Sequence, residues 1–332
     1  MKMRQSERTV RDVESRDLNP DWRKSAVASI LANSIFKNKR VGVAALSAAL
    51  VGGAATFAAG LDLPISQEES VVSSVEEEKK DAETVFCYQM EGGGATITGV
   101  RDRNATTLVI PATINGVDVT KIGERAFEGM KRLESVIWAT TARCEIEPRA
   151  FAYCAALKKV ELPDNLEAIP EYAFVSCSSL ETISGGKNVR TIGERAFSSC
   201  QSLKTLEFSE VVAVGEGAFY GCERLTTFDF VSSENAAFQL VDGLLLSKDG
   251  KTLVACPPGR TGEVVVPDGV ASIAKSAFEG GAVESVVLPQ TLELIDSKAF
   301  EQCSKLKSVV GAPKALETIG AHAFFFCFDL ER

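Results

Sequence analysis

Cysteines are the residues of this chain whose spacing most clearly invites a chemical role. Six of the nine cysteines occupy the last position of a recurring motif, A-F-x-x-C, as in AFSSC at 196–200. The members of this set are Cys154, Cys177, Cys200, Cys222, Cys303 and Cys327. A regular series of thiols could bind a metal, form disulfides or carry redox chemistry, or it could simply fill space in a core.

The pattern favours packing over metal binding. Met130 occupies the cysteine position in one copy of the motif without altering the frame, and no two cysteines stand two to four residues apart as in a structural zinc site. We therefore predict that the repeated cysteine is buried, with an occasional disulfide as the alternative. Cys87, Cys144 and Cys256 lie outside the set, and their pairing stays open because sequence does not give disulfide connectivity.

No catalytic constellation is evident. His322 is the only histidine, and it occupies a variable position just before an Ala-Phe pair. The segment EGGGAT at 91–96 lacks the frame of a phosphate-binding loop. Acidic residues of the repeats fall in outward positions, where water leaves a carboxylate ordinary. We predict that the chain is not an enzyme and that it has no catalytic residue, metal or cofactor.

The Ala-Phe pairs reveal the organisation that must position these residues. They begin at 126, 150, 173, 196, 218, 277, 299 and 323, so that the spacing is 22 to 24 residues except for one interval of 59. A fixed period in this range predicts a solenoid, in which coils stack because one unit cannot bury its own apolar face.

Each unit combines two kinds of local structure. Leu157, Val160 and Leu162 mark an extended segment, L-x-x-V-x-L. Phe174 and Cys177 then stand three residues apart, which predicts a short helical or 3₁₀ turn with one buried face. The expected fold is thus a stack of short β-strands joined by such turns.

The repeat resembles the BspA-type leucine-rich repeat family, whose units run I-G-x-x-A-F-x-x-C-x-x-L-x-x-V-x-L-P. The resemblance covers about residues 86–332 and implies a leucine-rich-repeat solenoid with an N-terminal cap at 86–120 and repeats at 121–332. The segment 240–259 is similar to the hairpin of that family, and Asp249-Gly250 is a strong turn signal within it. The segment ISGGK at 183–187 departs from the family, because it lacks the proline that usually ends the strand.

The N-terminal part differs in composition. Residues 1–40 carry ten Lys or Arg and five Asp or Glu, residues 41–61 carry no charge, and residues 64–86 carry seven acids and two lysines. We predict a cytoplasmic tail at 1–40, one transmembrane helix at 41–61 and an acidic spacer at 62–85, so that the N-terminus is inside and the repeats are extracellular. Cleavage of 41–61 as a signal peptide and a soluble helix are the alternatives.

Outward side chains of the extended segments should form columns across the coils, because alternate residues of a strand point to opposite faces. These columns are the predicted protein-binding face. The candidate residues are Lys158, Lys159, Glu161, Glu181, Lys204, Glu207, Thr226, Asp229, Glu284 and Lys307. For any single one of them, a merely solvated position is the simpler interpretation.

Together these features predict a binding protein of the cell membrane. The family resemblance implies adhesion to extracellular or surface proteins, whereas spacing and composition alone imply only a binding scaffold. A net charge of −9 argues against a nucleic-acid partner. The alternative is a structural or assembly scaffold of the cell envelope without a host ligand. Because the chain stops at Arg332, where another strand would begin, either the sequence is a fragment or its end pairs with something else.

Overall fold

The computed structural model describes residues 85–139, 144–208, 210–229 and 237–331. The predicted tail 1–40, the predicted anchor 41–61 and all of the spacer except Val85 lie outside these ranges. Within the described ranges, no helix has both the length and the apolar character needed to cross a bilayer.

Strands are the repeating element of the first part of the solenoid. In chain order they are β1 (Phe86–Glu91), β2 (Gly94–Val100), β3 (Thr107–Ile110), β4 (Thr113–Ile114), β5 (Val117–Ile122), β6 (Ser135–Trp138), β7 (Glu145–Ile146), β8 (Lys159–Leu162), β9 (Ala168–Ile169), β10 (Thr182–Gly185), β11 (Thr191–Ile192), β12 (Thr205–Leu206) and β13 (Ala213–Val214). Parallel pairing of β3, β6, β8, β10 and β12 makes a front sheet, and parallel pairing of β9, β11 and β13 makes a side sheet. β1 and β2 pair antiparallel and join β5, to which β4 and β7 also pair.

The second part of the solenoid begins with antiparallel strands. Its strands are β14 (Phe238–Val241), β15 (Leu244–Ser247), β16 (Thr252–Ala255), β17 (Gly262–Val265), β18 (Ser272–Ile273), β19 (Val283–Val287), β20 (Leu294–Ile295), β21 (Ser308–Val310) and β22 (Thr318–Ile319). β14, β15 and β16 pair antiparallel in succession, and β16 then pairs parallel with β18 and starts a second side sheet that continues to β22. β17, β19 and β21 form a second front sheet.

Buried apolar and exposed polar residues alternate along the front strands. In β8, Val160 and Leu162 are buried while Lys159 and Glu161 are exposed. The next front strand, β10, lies in the same phase, with Ile183 directly beside Val160. Apolar side chains of every coil therefore meet in one interior, and the polar ones form the outer face of the front sheet.

The A-F-x-x-C segments are turns, which corrects the helical or 3₁₀ form predicted for them. In the coil of Phe174, the N–H of Val175 bonds the carbonyl of Tyr172 three residues back, but the N–H of Phe174 donates to Ala196 of the next coil at 2.8 Å. Bonds within the segment and bonds between coils alternate in this way. Tyr172 and Ser176 lie in the left-handed region, with φ of 56° and 59°, and this geometry prevents a helix from continuing.

Phenylalanine rings fill the interior beside these turns. Phe151, Phe174 and Phe197 stack with ring centroids 5.3 and 5.6 Å apart and planes 5° apart. A second column contains Phe278 and Phe300, whose centroids are 4.6 Å apart. The buried apolar residues divide in the same way, into one core cluster that extends from 86 to 245 and another from 244 to 323. The two clusters meet at the hairpin.

Candidate binding surface

The repeated cysteine has a role in the stack beyond filling space. Its burial, predicted from the sequence, is confirmed for five of the six positions, and Cys327 is half-buried. Each thiol also donates to the carbonyl oxygen of the motif phenylalanine in the preceding coil. The pairs are Cys154 to Phe127, Cys177 to Phe151, Cys200 to Phe174, Cys222 to Phe197, Cys303 to Phe278 and Cys327 to Phe300, at 2.9 to 3.2 Å.

The two motif copies without cysteine are explained by this contact. Met130 belongs to the first Ala-Phe coil of the first stack, and Gly281 belongs to the first Ala-Phe coil after the hairpin. Neither follows directly on a coil with the motif phenylalanine, so neither position has that carbonyl to satisfy. A motif copy that lacks the cysteine therefore marks the first coil of a stack, a signal in the sequence that the sequence analysis did not use.

Burial keeps the thiols of Cys200 and Cys222 in the protonated form that can donate. It raises the pKa of Cys200, and it raises the pKa of Cys222 well above its usual range. Outside the repeated set, burial raises the pKa of Cys144 to about 11 and that of Cys256 to about 12. A thiol with a raised pKa is a poor nucleophile near neutral pH, so these residues act as structural donors.

Eight of the ten predicted binding residues lie on or directly beside the front strands, whereas Thr226 and Asp229 follow the last strand of the first front sheet, β12, and belong to no strand. Nine of the ten are exposed, and Glu284 is half-buried. Five of the ten are joined in ion pairs across neighbouring coils. The lysines Lys158, Lys204 and Lys307 contact Glu134, Glu181 and Glu284 respectively, at 2.7 to 2.8 Å. We call these six residues the paired column, because most of their charge is balanced within the protein.

The third outward position of the strands has a different character. Glu161, Glu207 and Asp229 are exposed and take part in none of the ion pairs formed among the described residues. We call these three residues the acidic strip. In the second front sheet the same position is apolar, because Val265 and Val310 are each about half exposed, at 53% and 50%. The binding face is thus acidic in its first half and aliphatic in its second.

A groove of about 690 Å³ opens on the first front sheet. Its lining includes Lys159, Glu161 and Glu207, which are three of the predicted residues, and an apolar end formed by Ile137 and Trp138. Ile137 is 46% exposed, and the indole of Trp138 packs edge-on against Phe151 at 6.0 Å. Sequence reasoning missed this apolar end, because Ile137 occupies an outward position that is polar in the following coils.

Gly185 shapes the wall of the groove. It ends β10 with φ of 74°, and a Cβ at this position would lie 2.2 Å from the carbonyl oxygen of Leu162. Only glycine therefore fits here. This residue is part of ISGGK, the segment in which the strand-ending proline is missing, so the departure from the repeat pattern coincides with the groove.

A second feature joins the two stacks on the turn side. Arg195 of the first stack donates to Glu279 of the second at 2.7 Å, and the Glu279 side chain is only 2% exposed. The hydroxyl of Tyr220 donates to Gln302 at 2.6 Å, and Glu216 accepts from Lys275 at 2.6 Å. A cavity of about 300 Å³ lies beside this network. The residues of this network connect coils on the two sides of the hairpin, and the sequence spacing did not predict these contacts.

Candidate catalytic groups are not brought together. His322 is exposed on the last described coil, where its ring contacts Phe325 edge-on at 5.1 Å. Across the ranges that the structure describes, no group of three or more His, Cys, Asp or Glu side chains is placed to hold a metal ion. Over the described ranges, the arrangement offers an extended surface for contact.

Comparison with known proteins agrees with this geometry. The family model described as BspA type leucine rich repeat region matches residues 102–226 and 260–332 in six copies. The crystal structure of the pneumococcal vaccine antigen PcpA is similar at 22% identity and a TM-score of 0.59, over 75% of this chain and 73% of that one.

A leucine-rich cell surface protein from Faecalibacterium prausnitzii A2-165 is also similar in structure. Its identity to this chain is 22% and its TM-score is 0.52, over 74% of this chain and 86% of that one. Both likenesses concern the fold. The curated proteins include no match to this chain.

Proposed function

Since the chain belongs to the BspA type leucine-rich repeat family, we propose that it is a binding protein of the cell surface that contacts protein partners through the front face. The observation that carries this proposal is the groove on the first front sheet, where outward side chains of four coils converge. A rigid solenoid presents such a face at little ordering cost, so shallow contacts over many coils can add up to useful affinity.

The contact residues proposed here are those of the front face. They comprise the predicted set, Lys158, Lys159, Glu161, Glu181, Lys204, Glu207, Thr226, Asp229, Glu284 and Lys307, and the apolar residues found beside it, Ile137, Val265 and Val310. Hot spots in protein interfaces are few and often apolar or aromatic. We therefore expect Ile137 and the acidic strip to contribute more than the paired column, whose charges already have partners.

We further propose that the protein is tethered with its repeats outside the cell. The basic tail 1–40 would lie in the cytoplasm, the uncharged span 41–61 in the membrane, and the acidic spacer 62–85 would hold the cap at 86–120 and the repeats at 121–332 away from the surface. The cell-surface description of the F. prausnitzii protein supports outward display. Adhesion to other cells would follow if the partner lies on them.

Site-specific photo-crosslinking in cells tests the binding proposal. A benzophenone amino acid at Ser184 of the full-length chain, in the groove, should give a protein adduct, whereas the same group at Thr191 on the exposed side sheet should not. An adduct at Thr191 alone, or at neither position, would contradict binding through the front face. Thr182→Trp, which fills the groove, should abolish the adduct, and Thr191→Trp is the matched control.

Protease treatment of intact cells tests the topology. Loss of the repeats with protection of the 1–40 tail is the expected result, because only the outside segment is accessible. Protection of the whole repeat array would show that the front face looks inward, and the protein would then be an internal scaffold.

A further inference from the structure

The charges of the first front sheet fall into two classes that ion pairing separates. Lys158 and Lys204 of the paired column each contact a glutamate of the preceding coil at 2.8 and 2.7 Å. Glu161 lies on β8, and Glu207 directly follows β12. Neither has such a partner among the described residues. Among the described residues Lys159 also takes part in none of these ion pairs, so the unbalanced charge of this face is one lysine against the carboxylates of the acidic strip and is negative on balance.

The strip has a defined order across the coils. Ile137 stands one coil before Glu161, Ser184 lies directly beside Glu161, and Glu207 follows Ser184. The repeat places Asp229 next. Since adjacent strands are about 4.8 Å apart, the path from Ile137 to Glu207 crosses three steps, or roughly 14 Å. An extended segment of about five residues covers that distance at roughly 3.3 Å per residue.

Charge and polarity then select the occupant. The exposed carboxylates of the acidic strip attract a cationic side chain, which gains favourable Coulomb energy beside each of them. Nucleic acid would be repelled because it presents phosphates. The exposed Ile137 at the head of the strip adds a preference for an apolar side chain. We propose that the groove binds an extended protein segment in which one apolar side chain is followed by two basic ones.

This inference rests on the proposed binding function and specifies its partner. The apolar side chain would lie on Ile137 and Trp138, which form that end of the groove. One basic side chain would pair with Glu161 and the other with Glu207, two coils and roughly 10 Å further on. That separation corresponds to three residues of an extended chain. Lys159, which also lines the groove, disfavours a partner with basic residues at every position.

Synthetic peptides provide the test. The probe is fluorescein-labelled Leu-Ser-Arg-Ser-Ser-Arg, made in both chain directions, and its binding to the full-length protein is followed by fluorescence anisotropy. We expect saturable binding in at least one direction, and at least about fivefold weaker binding when both arginines are replaced by glutamate. Removing the leucine should also weaken binding. Absence of saturable binding in either direction, or equal binding of the glutamate peptide, would overturn the inference.

Protein variants locate the site of the probe. The double variant Glu161→Gln, Glu207→Gln should reduce affinity at least about fivefold, because it removes the two carboxylates of the acidic strip that line the groove. The matched control, Glu293→Gln with Glu317→Gln, removes the same charge from two exposed acids that directly precede strands of the second side sheet, away from the front face, and should leave affinity within about twofold. Equal losses in both would mean that net charge alone attracts the peptide, and the proposed site would be wrong.

The failure of this inference can be told apart from failure of the binding function. If Ser184 still gives its protein adduct in the Glu161→Gln, Glu207→Gln variant, the front face binds a partner but not by the proposed chemistry. If Ser184 gives no adduct in the unmodified chain, the binding function itself is wrong.

Discussion

Replacing Cys200 by other residues tests whether the thiol ladder stabilises the stack as a hydrogen-bond donor or only as filler. Its Sγ lies 3.1 Å from the carbonyl oxygen of Phe174, and the residue is fully buried. Cys200→Ala removes a buried group about as large as a methylene, which costs roughly 1 kcal/mol, together with a weak hydrogen bond of about 0.5–1 kcal/mol. The expected loss in the free energy of unfolding is about 1.5–2 kcal/mol.

Two further substitutions separate the contributions. Cys200→Val keeps the volume without the donor, and we expect it to cost about 1 kcal/mol. Cys200→Ser keeps a donor in a smaller group, so it should retain the contact to Phe174 while losing apolar burial. Phe174 also accepts from the N–H of Cys177 at 3.1 Å, so its oxygen is never wholly unsatisfied and the losses stay moderate.

The measurement is equilibrium urea unfolding followed by circular dichroism, with hydrogen exchange to locate the effect. Because coils interact mainly with their neighbours, protection should fall in the adjoining coils of the first stack more than in the second. Cys87→Ala at an exposed position is the control and should change stability by less than about 0.5 kcal/mol. A Cys200→Val variant as stable as the natural chain would refute a donor role for the thiol.

Other expectations follow from the same structure. Burial raises the pKa of Cys144 to about 11 and that of Cys256 to about 12, so both thiols ionise at a lower pH in the unfolded chain than in the folded protein. The free energy of unfolding should therefore keep its full value below about pH 9 and fall above it by up to about 1.4 kcal/mol per pH unit for each thiol. Urea titrations at alkaline pH measure this fall, and a flat profile from about pH 9 to 11 would contradict it. Arg195→Ala should lower the free energy of unfolding by about 2–4 kcal/mol, because Glu279 is left buried without its cation. Replacing the pair together, by Arg195→Met and Glu279→Leu, should lower it much less. A double-mutant cycle measures the coupling between the two residues, and additive losses would refute it. Ser199 has a φ of 60°, in the left-handed region, where glycine is not strained. Ser199→Gly should therefore raise the free energy of unfolding by up to about 1 kcal/mol. Thermal unfolding measures this, with Ser199→Ala as the control that should not be stabilised.

Much of this protein could be predicted from the sequence because its repeat is local. The 22 to 24-residue spacing of Ala-Phe, the alternation in L-x-x-V-x-L and the apolar character of Phe174 and Cys177 each reflect an environment that recurs in every coil. A periodic pattern therefore predicts the solenoid, its buried positions and its outward columns without knowledge of any single contact.

Other features depend on which coils become neighbours in space. The ladder of Cys200 and its equivalents needs a carbonyl from the preceding coil, the turn segments bond to the next coil instead of closing into a helix, and the contact of Arg195 with Glu279 joins residues 84 positions apart. Likewise, the sequence showed Glu161 and Glu181 as equivalent outward acids, but among the described residues only Glu181 forms an ion pair with a lysine. Residue type determined what each coil buries, whereas the pairing of charges and donors was decided by the tertiary structure, because those bonds depend on distances between coils that no local pattern encodes.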